Sequence, residues 1–325
     1  MNPTVSVIIV NWNGREYLGP CLESLQAQSF TDFETIVVDN GSTDGSVSFV
    51  EHNFPTITVV ELEENQGFCG GNNAGIKRAN GDYIALLNND TVVDSKWLAE
   101  LVDAAETTDA DFFASKMLLY DDRDVVDTCG DYYSTLGVAG KRGHLDDAEK
   151  FKNYEEVFGA CAGAALYSRE LLEDVGLFDE DFFLSYEDVD LGFRARLRGY
   201  RCLFVADAVV YHHLSSTIGE NSETYVYHGQ RNLEYVFVKN LPSRLLIQYL
   251  PRHLLYNAIA CFYFTFVGQW RAFFRAKCHA LMALPTLLQK RREIQQRRQV
   301  ESMEISSQIQ SHGLVSKIIN KLQRL

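Results

Sequence analysis

The chain has 325 residues, 46% hydrophobic and 23% charged, with a formal net charge of −14; this excludes a disordered or collagen-like chain and leaves room for one large domain with an appendage, or two domains. From Pro242 onward there are thirteen Lys/Arg and three acids, a net of +10, so the first 241 residues carry −24. Such an acidic body repels nucleic-acid phosphate, so no nucleic-acid partner is expected, whereas the basic tail suits an anionic membrane surface.

In chain order, TVSVIIVNWN is a β-branched run ending in Asn and Gly, and REYLGPCLESLQAQ follows at helical spacing. FETIVVDNGSTDGS predicts a second strand, SVSFVEHNF a short helix and ITVVELEEN a third strand. GGNNAGIKRAN predicts a helix after a Gly-rich turn, GDYIALLNND a fourth strand, and SKWLAELVDAAE a helix with Ser95 at its N-cap. Strand and helix thus alternate to about residue 106, and the strands are continuous apolar runs. That pattern predicts an α/β domain with a mainly parallel sheet covered on both faces. Residues 120–147 read as loops and short strands. VFGACAGAALYSRELLEDVGLF then predicts a strand and a helix. SYEDVDLGFRARLRGY predicts a helix with Leu191, Ala195 and Leu197 inward, and CLFVADAVVYHH a late strand ending in two histidines. No internal repeat is present.

The tail beginning near Leu241 is rich in Leu, Phe, Tyr and Trp with interspersed Arg. Its least polar stretch, Leu254 to Gly268, is shorter than the roughly 20 residues a spanning helix needs. It fits a buried core helix or, as preferred here, a helix in the membrane interface. QKRREIQQRRQ reads as an exposed basic helix. The seven cysteines are scattered, odd in number and without a CxxC pair, which predicts reduced thiols in a cytosolic compartment and no zinc site. No basic-then-apolar leader opens the chain, so no signal peptide is expected.

Polar residues collect where strands end: Asn11 and Asn13 after the first, Asp39 and Asn40 after the second, Asn65 after the third, Asn88 to Asp90 after the fourth. One such ending is an ordinary turn; four in succession predict a ligand site at the carboxyl ends of an open α/β sheet. Neither G-x-G-x-x-G nor GxxxxGK[ST] occurs, so the two common nucleotide loops are absent. A lone Asp90 either caps a turn or offers a hard oxygen to Mg²⁺ or Mn²⁺, which takes few carboxylates and completes its shell with water and phosphate.

The segments VSVIIVNWNG, IVVDNGSTDGS, NQGFCGGNNAGIKRANGDYIALLNNDTVV, GACAGAALYSRELLEDVGLFDEDFF, YEDVDLGFRARLRGY and VVYHHLSST, in this order and spacing, resemble the family 2 glycosyltransferases of GT-A fold. Within them the chain looks most like rhamnosyltransferase-type members. The resemblance implies that Asp39 reads the base and that Asn11 and Asn13 edge the nucleotide pocket. It implies that Asn65, Gly67 and Asn73 belong to the loop and helix cradling the nucleotide. Asn88-Asn89-Asp90 takes the place of the family's DxD motif, with Asn88 in place of its first acid. Asp90 is then the metal-binding carboxylate, His212 a further ligand and His213 its runner-up. Glu187 and Asp188 match the family's ED motif, where the aspartate is the base. Without the resemblance, that pair is an acidic start to a helix. GACAGAALY and FDEDFFLSY would line the acceptor side, where Phe182, Phe183 and Tyr186 either stack on a sugar or simply pack.

These readings predict a GT-A catalytic domain over 1–241 and a basic, aromatic-rich helical tail over 242–325 that associates with a membrane. The expected enzyme inverts, uses Mg²⁺ or Mn²⁺, and takes a pyrimidine nucleotide-sugar donor, with dTDP-rhamnose favoured by the resemblance alone. Its expected acceptor is a lipid-linked or cell-surface glycan on the cytoplasmic face of the membrane. The alternatives are a UDP-hexose or UDP-N-acetylhexosamine transferase of the same fold, a sugar-phosphate nucleotidyltransferase, and a non-catalytic carbohydrate-binding module. The nucleotidyltransferase needs a Gly-rich basic loop that NWNGREYLG does not supply. Asp39, Asp90 and Asp188 argue against the binding module.

Overall fold

The structure, a computed structural model, describes residues 2–213 and 222–311. The LSST end of the last matching segment, and Lys317, Lys321 and Arg324 of the tail, lie outside them. The chain divides into two compact units. One comprises Met1–Asp131, Lys141–Ala195 and Tyr200–Ser215, the other Tyr132–Gly140, Arg196–Gly199 and Ser216–Leu325.

The elements run β1 (Val5–Asn11), α1 (Arg15–Gln26), β2 (Phe33–Asp39), α2 (Ser46–Asn53), β3 (Thr58–Glu61), α3 (Gly67–Arg78), β4 (Tyr83–Asn88), β5 (Thr91–Val93), α4 (Trp97–Thr107), β6 (Phe112–Leu119) and β7 (Val126–Thr128). They continue with β8 (Asp131–Tyr133), β9 (Ala139–Lys141), β10 (Glu155–Val157), β11 (Ala164–Ser168), α5 (Arg169–Val175), α6 (Glu187–Leu197) and β12 (Cys202–His212). Among the described residues there follow α7 (Glu223–Asn240), α8 (Ser243–Phe266), α9 (Trp270–Met282), α10 (Leu284–Arg297) and α11 (Ser302–Gln308).

The central sheet has the order β10-β12-β6-β11-β4-β1-β2-β3, with β5 paired to β12 and β7 to β6. β1 pairs parallel with β2 and β4, β2 with β3, and β6 with β12; β11 runs antiparallel between β4 and β6. The expected architecture, a mainly parallel central sheet followed by C-terminal helices, is therefore present. Val5, Val7, Ile8 and Ile9 are all fully buried, so β1 has both faces covered, as its unbroken apolar run requires. On one face α1 and α4 supply Leu18, Leu22, Leu25, Trp97 and Leu101 to the core. Trp97 is fully buried and donates from Nε1 to Ser115 Oγ at 2.8 Å. Truncating it to Ala removes burial worth about 3–5 kcal/mol.

Helix α4 begins at Trp97, and the expected cap at Ser95 does not form. Asp94 intervenes: its carboxylate accepts from Lys96 N at 3.0 Å and its carbonyl from Trp97 N. Leu191, Ala195 and Leu197 of α6 are buried as expected.

In the helical unit, Glu234 of α7 accepts from Lys277 Nζ of α9 at 2.6 Å and from Asn257 of α8 at 2.9 Å, and pairs with His253 Nε2 of α8 at 2.9 Å. Burial alone would raise the Glu234 pKa, but His253 and Lys277 hold it down to about 2. The basic helix α10 is only partly exposed. Arg291 turns inward and donates to Val238 O at 2.7 Å and Leu241 O at 2.6 Å, closing the C-terminal carbonyls of α7. Among the described residues no helix is long and apolar enough to cross a membrane.

Candidate active site

The parallel register sets the first part of the site. Asn11 at the end of β1 lies beside Asp39 at the end of β2, and Val10 beside Asn88 at the end of β4. Strands that end together present their last polar side chains to the same space. Asn89 Nδ2 donates to Asn11 Oδ1 at 2.8 Å, and Asn11 Nδ2 reaches Ser42 Oγ at 3.3 Å and Asp39 Oδ1 at 3.4 Å. Asp39 Oδ2 accepts from Ser42 N at 2.9 Å. Asn13 has a left-handed backbone, φ 51°, and its Oδ1 accepts from Thr43 N at 2.8 Å. Asn11, Asn13, Asp39 and Asn89 thus form one connected, buried-to-exposed network, with Ser42 as a member that sequence reading missed.

The second part is the loop before α3. Asn65 Oδ1 accepts from Gly67 N at 2.8 Å and from Asn40 Nδ2 at 3.0 Å. Asn40 was visible at its strand end and proves to be the brace of this loop, since its Oδ1 also takes Gln66 N. Asn73 is buried and spent on the frame: Nδ2 donates to Phe178 O at 2.9 Å and Glu180 Oε1 at 3.0 Å, and Oδ1 accepts from Phe178 N.

The third part pairs Asp90 with His212. β5 pairs antiparallel with β12, Thr91 opposite His212, which brings the residue before β5 to the end of β12. His212 Nε2 lies 3.3 Å from Asp90 Oδ1, and Nδ1 lies 2.9 Å from Asp127 Oδ2. His213 instead stacks on Tyr120 at 3.6 Å between centroids. Asp127 is fully buried and holds Lys141 Nζ at 2.6 Å. Burial opposes ionisation of Asp127, but His144, His212 and Lys141 hold its pKa far below the usual carboxylate range. Burial likewise works against charge on His212, yet its bonds to Asp127 and Asp90 lift it to about 9.

A divalent cation held by Asp90 and His212 would take the place of the proton on His212. The donor set fits a hard, borderline ion: one carboxylate oxygen, and one imidazole nitrogen turned outward by a carboxylate on its other nitrogen. Among the described residues no group of three or more His, Cys, Asp or Glu could hold a metal on its own, so phosphate and water would have to supply the rest of the shell.

The fourth part is the carboxylate pair at the start of α6. Asp188 Oδ2 accepts from Ala162 N at 3.3 Å, and Oδ1 from Val189 N at 2.7 Å. The same loop reaches Asn88, whose N–H donates to Gly163 O at 2.8 Å, so residues 162–163 border both motifs. Burial pushes the Asp188 carboxyl up, against the pull of its backbone donors and Lys141. Glu187 and Asp131 are buried, each with one oxygen (Oε2 and Oδ2) lacking a hydrogen-bond partner among the described residues. Burial and then the Asp188 charge raise both well above the carboxylate range. Phe183, Ser185 and Tyr186 all have positive φ, 63°, 66° and 70°, immediately before the pair. Backbone in this region costs of order 1 kcal/mol or more per residue, and clusters of it occur at functional sites. Phe182 is fully buried and packs in the core. Asp127, Asp131 and Lys141 were passed over because residues 120–147 carry no periodicity; three ionisable groups around a Thr-Cys-Gly turn were the available signal.

Against known proteins, the model of the family described as Glycosyl transferase family 2 matches residues 6–176. The chain is 29% identical over 232 residues to the O-antigen biosynthesis protein RfbC of Myxococcus xanthus, covering 66% of this chain and 18% of that protein. The chain spans a quarter or less of the length of the first curated relatives it matches. Among solved structures it resembles S. aureus TarS 1-349 in complex with UDP, with TM-score 0.55 and 21% identity over 91% of this chain and 89% of that one. It also resembles the mannosyltransferase PcManGT of Pyrobaculum calidifontis in complex with GDP-Man and Mn²⁺, with TM-score 0.54 and 18% identity over 90% and 85%. At these identities the structures show a shared fold, the GT-A fold.

Proposed function

Because the chain belongs to glycosyl transferase family 2, we propose that it is an inverting glycosyltransferase moving a sugar from a pyrimidine nucleotide diphosphate to a lipid-linked or cell-surface glycan. One observation carries the reading: the Ala162–Gly163 loop joins the half-buried Asp188 to the strand end that bears Asn88, Asn89 and Asp90. Asp39 and Asn11 bind the base and Asn13 the pocket edge, with Asn65 and Gly67 shaping the loop over the nucleotide. Asp188 takes the proton of the acceptor hydroxyl, and its raised pKa makes it a stronger base than an exposed aspartate. A single base opposite the leaving group gives one displacement and inversion, through an oxocarbenium-like transition state. Mg²⁺ or Mn²⁺ would be held by Asp90 and His212 and, when bound, compensates the charge of the departing diphosphate.

The motif resemblance favours dTDP-rhamnose, and the O-antigen relative supports a cell-surface glycan as product. A UDP-sugar is the second reading, because a similar structure carries UDP. Residues 1–241 serve catalysis, and the tail holds the enzyme on the cytoplasmic face of the membrane.

A donor-hydrolysis screen over dTDP-, UDP- and GDP-sugars tests the proposal. One dTDP- or UDP-sugar should turn over, lose activity in EDTA and recover it with Mg²⁺ or Mn²⁺. No turnover of any nucleotide sugar would sink the transferase reading. Undiminished turnover in EDTA would remove Asp90 and His212 from a metal role.

A further inference from the structure

Most of the large hydrophobic side chains left exposed among the described residues sit on α8, α9 and the turn between them. Phe262 and Phe266 are 80% and 89% exposed, far more than an ordinary surface aromatic, and Leu254, Trp270 and Phe274 are each about half exposed. On a 3.6-residue repeat, Leu250, Leu254, Phe262 and Phe266 drift along one side of α8, and Trp270 and Phe274 share a side of α9. The inner sides are fixed by Phe264 stacked on buried Phe273 at 5.6 Å.

The turn itself is closed. Gly268, with φ +79°, allows Gln269 N to donate to Phe264 O at 2.7 Å and Gly268 N to Thr265 O at 3.2 Å, a Schellman motif that satisfies the last carbonyls of α8. A Cβ on Gly268 would meet nothing within 4 Å, so the turn projects into open space. Closed carbonyls remove a main cost of placing such a turn in an apolar medium.

The charge pattern selects the occupant. From residue 242 to 282 there are five Lys/Arg and no acid; Lys277 and Arg275 pair with Glu234 and Glu223 of α7, which leaves Arg244, Arg252 and Arg271 as the cations of this stretch without an acid in an ion pair among the described residues. Arg271 is exposed at the apex and lies over the Trp270 ring at 5.2 Å. A second copy of this chain would bring the same cations against each other, whereas an anionic bilayer offers acyl chain to the aromatics and phosphate to the arginine.

We propose that the α8–α9 turn is a membrane wedge, with Phe262, Phe266, Trp270 and Phe274 entering the headgroup–acyl boundary of an anionic bilayer and Arg271 meeting its phosphates. This rests on the membrane part of the proposed function and shifts the contact from the basic helix α10, whose Arg291 faces inward, to an apolar apex.

The test uses the full chain and vesicles of phosphatidylcholine with phosphatidylglycerol, with or without brominated acyl chains. Trp97 is fully buried, so it is shielded from lipid bromine, and Trp12, which is exposed, is removed as a second reporter by working in a Trp12→Phe background. Brominated anionic vesicles should quench tryptophan fluorescence in the intact chain. Trp270→Phe should abolish the quenching while vesicle binding changes by less than a few-fold. The pair Phe262→Ser and Phe266→Ser, both exposed and so without effect on the far-UV spectrum, should lower vesicle binding by roughly tenfold or more. Quenching that survives Trp270→Phe, or full binding by the double variant, overturns the wedge. So does absence of vesicle binding by the intact chain, whether or not the double variant converts a dimer to a monomer. Nucleotide-sugar hydrolysis measured without vesicles separates the outcomes: hydrolysis without membrane binding sinks the wedge and leaves the transferase standing.

Discussion

The nucleotide side and the base side of the site are built on opposite principles. At the ends of β1, β2 and β4, Asn89, Asn11, Asp39, Ser42 and Asn13 bond to one another in a chain. Glu187 at the start of α6 and Asp131 at the start of β8 each bury an oxygen with no partner among the described residues, and three non-glycine residues in left-handed backbone precede Glu187. Satisfied polar groups hold a shape at little cost, while unsatisfied ones cost about 1–3 kcal/mol each. The strand-end side, with one left-handed non-glycine residue (Asn13) against three, is the more relaxed. The side proposed to move a proton buries its carboxyls, which raises their pKa, and the Asp188 charge adds to that on Glu187 and Asp131.

The largest expected break in this contrast is Asp188→Asn. Removing the base should lower turnover by about 10²-fold or more while donor binding and fold persist; a variant with near-normal turnover would exclude Asp188 as the base. Asp127→Asn comes next, because it leaves His212 Nδ1 without its carboxylate. Mn²⁺ affinity in the presence of UDP should fall by about 10–100-fold, read by the free Mn²⁺ resonance. Unchanged affinity would show that Asp127 does not orient His212.

The third expectation concerns pH. Asp188 works ionised and its pKa is raised, so turnover should fall with decreasing pH along a limb lying above the ordinary aspartate value of about 4. An acid limb at or below that value would mean burial does not tune the base. The smallest effect is on stability. The folded pKa of Asp131 is raised, so its contribution is fully present below the unfolded value and is lost as pH rises through the folded one. Asp131→Asn removes that loss and should raise Tm by roughly 2–4 °C at neutral pH, with the gain vanishing near pH 3. A lower neutral Tm would mean the carboxylate is stabilised by a contact that outweighs its burial.

The relaxed side was the legible one. Its residues end successive strands, and strand ends follow from local apolar runs, so Asn11, Asp39, Asn65 and Asn88–Asp90 could be placed from sequence. The choice between His212 and His213 depends on a strand-to-strand register: only the β5–β12 pairing shows that His212 faces Asp90 while His213 lies on Tyr120. Asn73 was visible as a polar residue in the right segment, but its partners lie about a hundred residues away. Asp127, Asp131 and Lys141 sit on short strands and turns with no periodic signal, and their roles arise only where the chain folds back.

The left-handed segment before Glu187 is fastened to the first turn of α3. Phe183 O accepts from Phe68 N at 2.7 Å, and a Cβ on Gly67, itself at φ +73°, would lie 2.5 Å from that same oxygen. A side chain at position 67 would therefore displace the Phe183 carbonyl, and the two segments pack as one unit. In recombining relatives to exchange acceptor preference, position 67 and segment 183–186 form a single cassette, and a crossover between them mates a glycine-shaped gap with a loop that does not fill it.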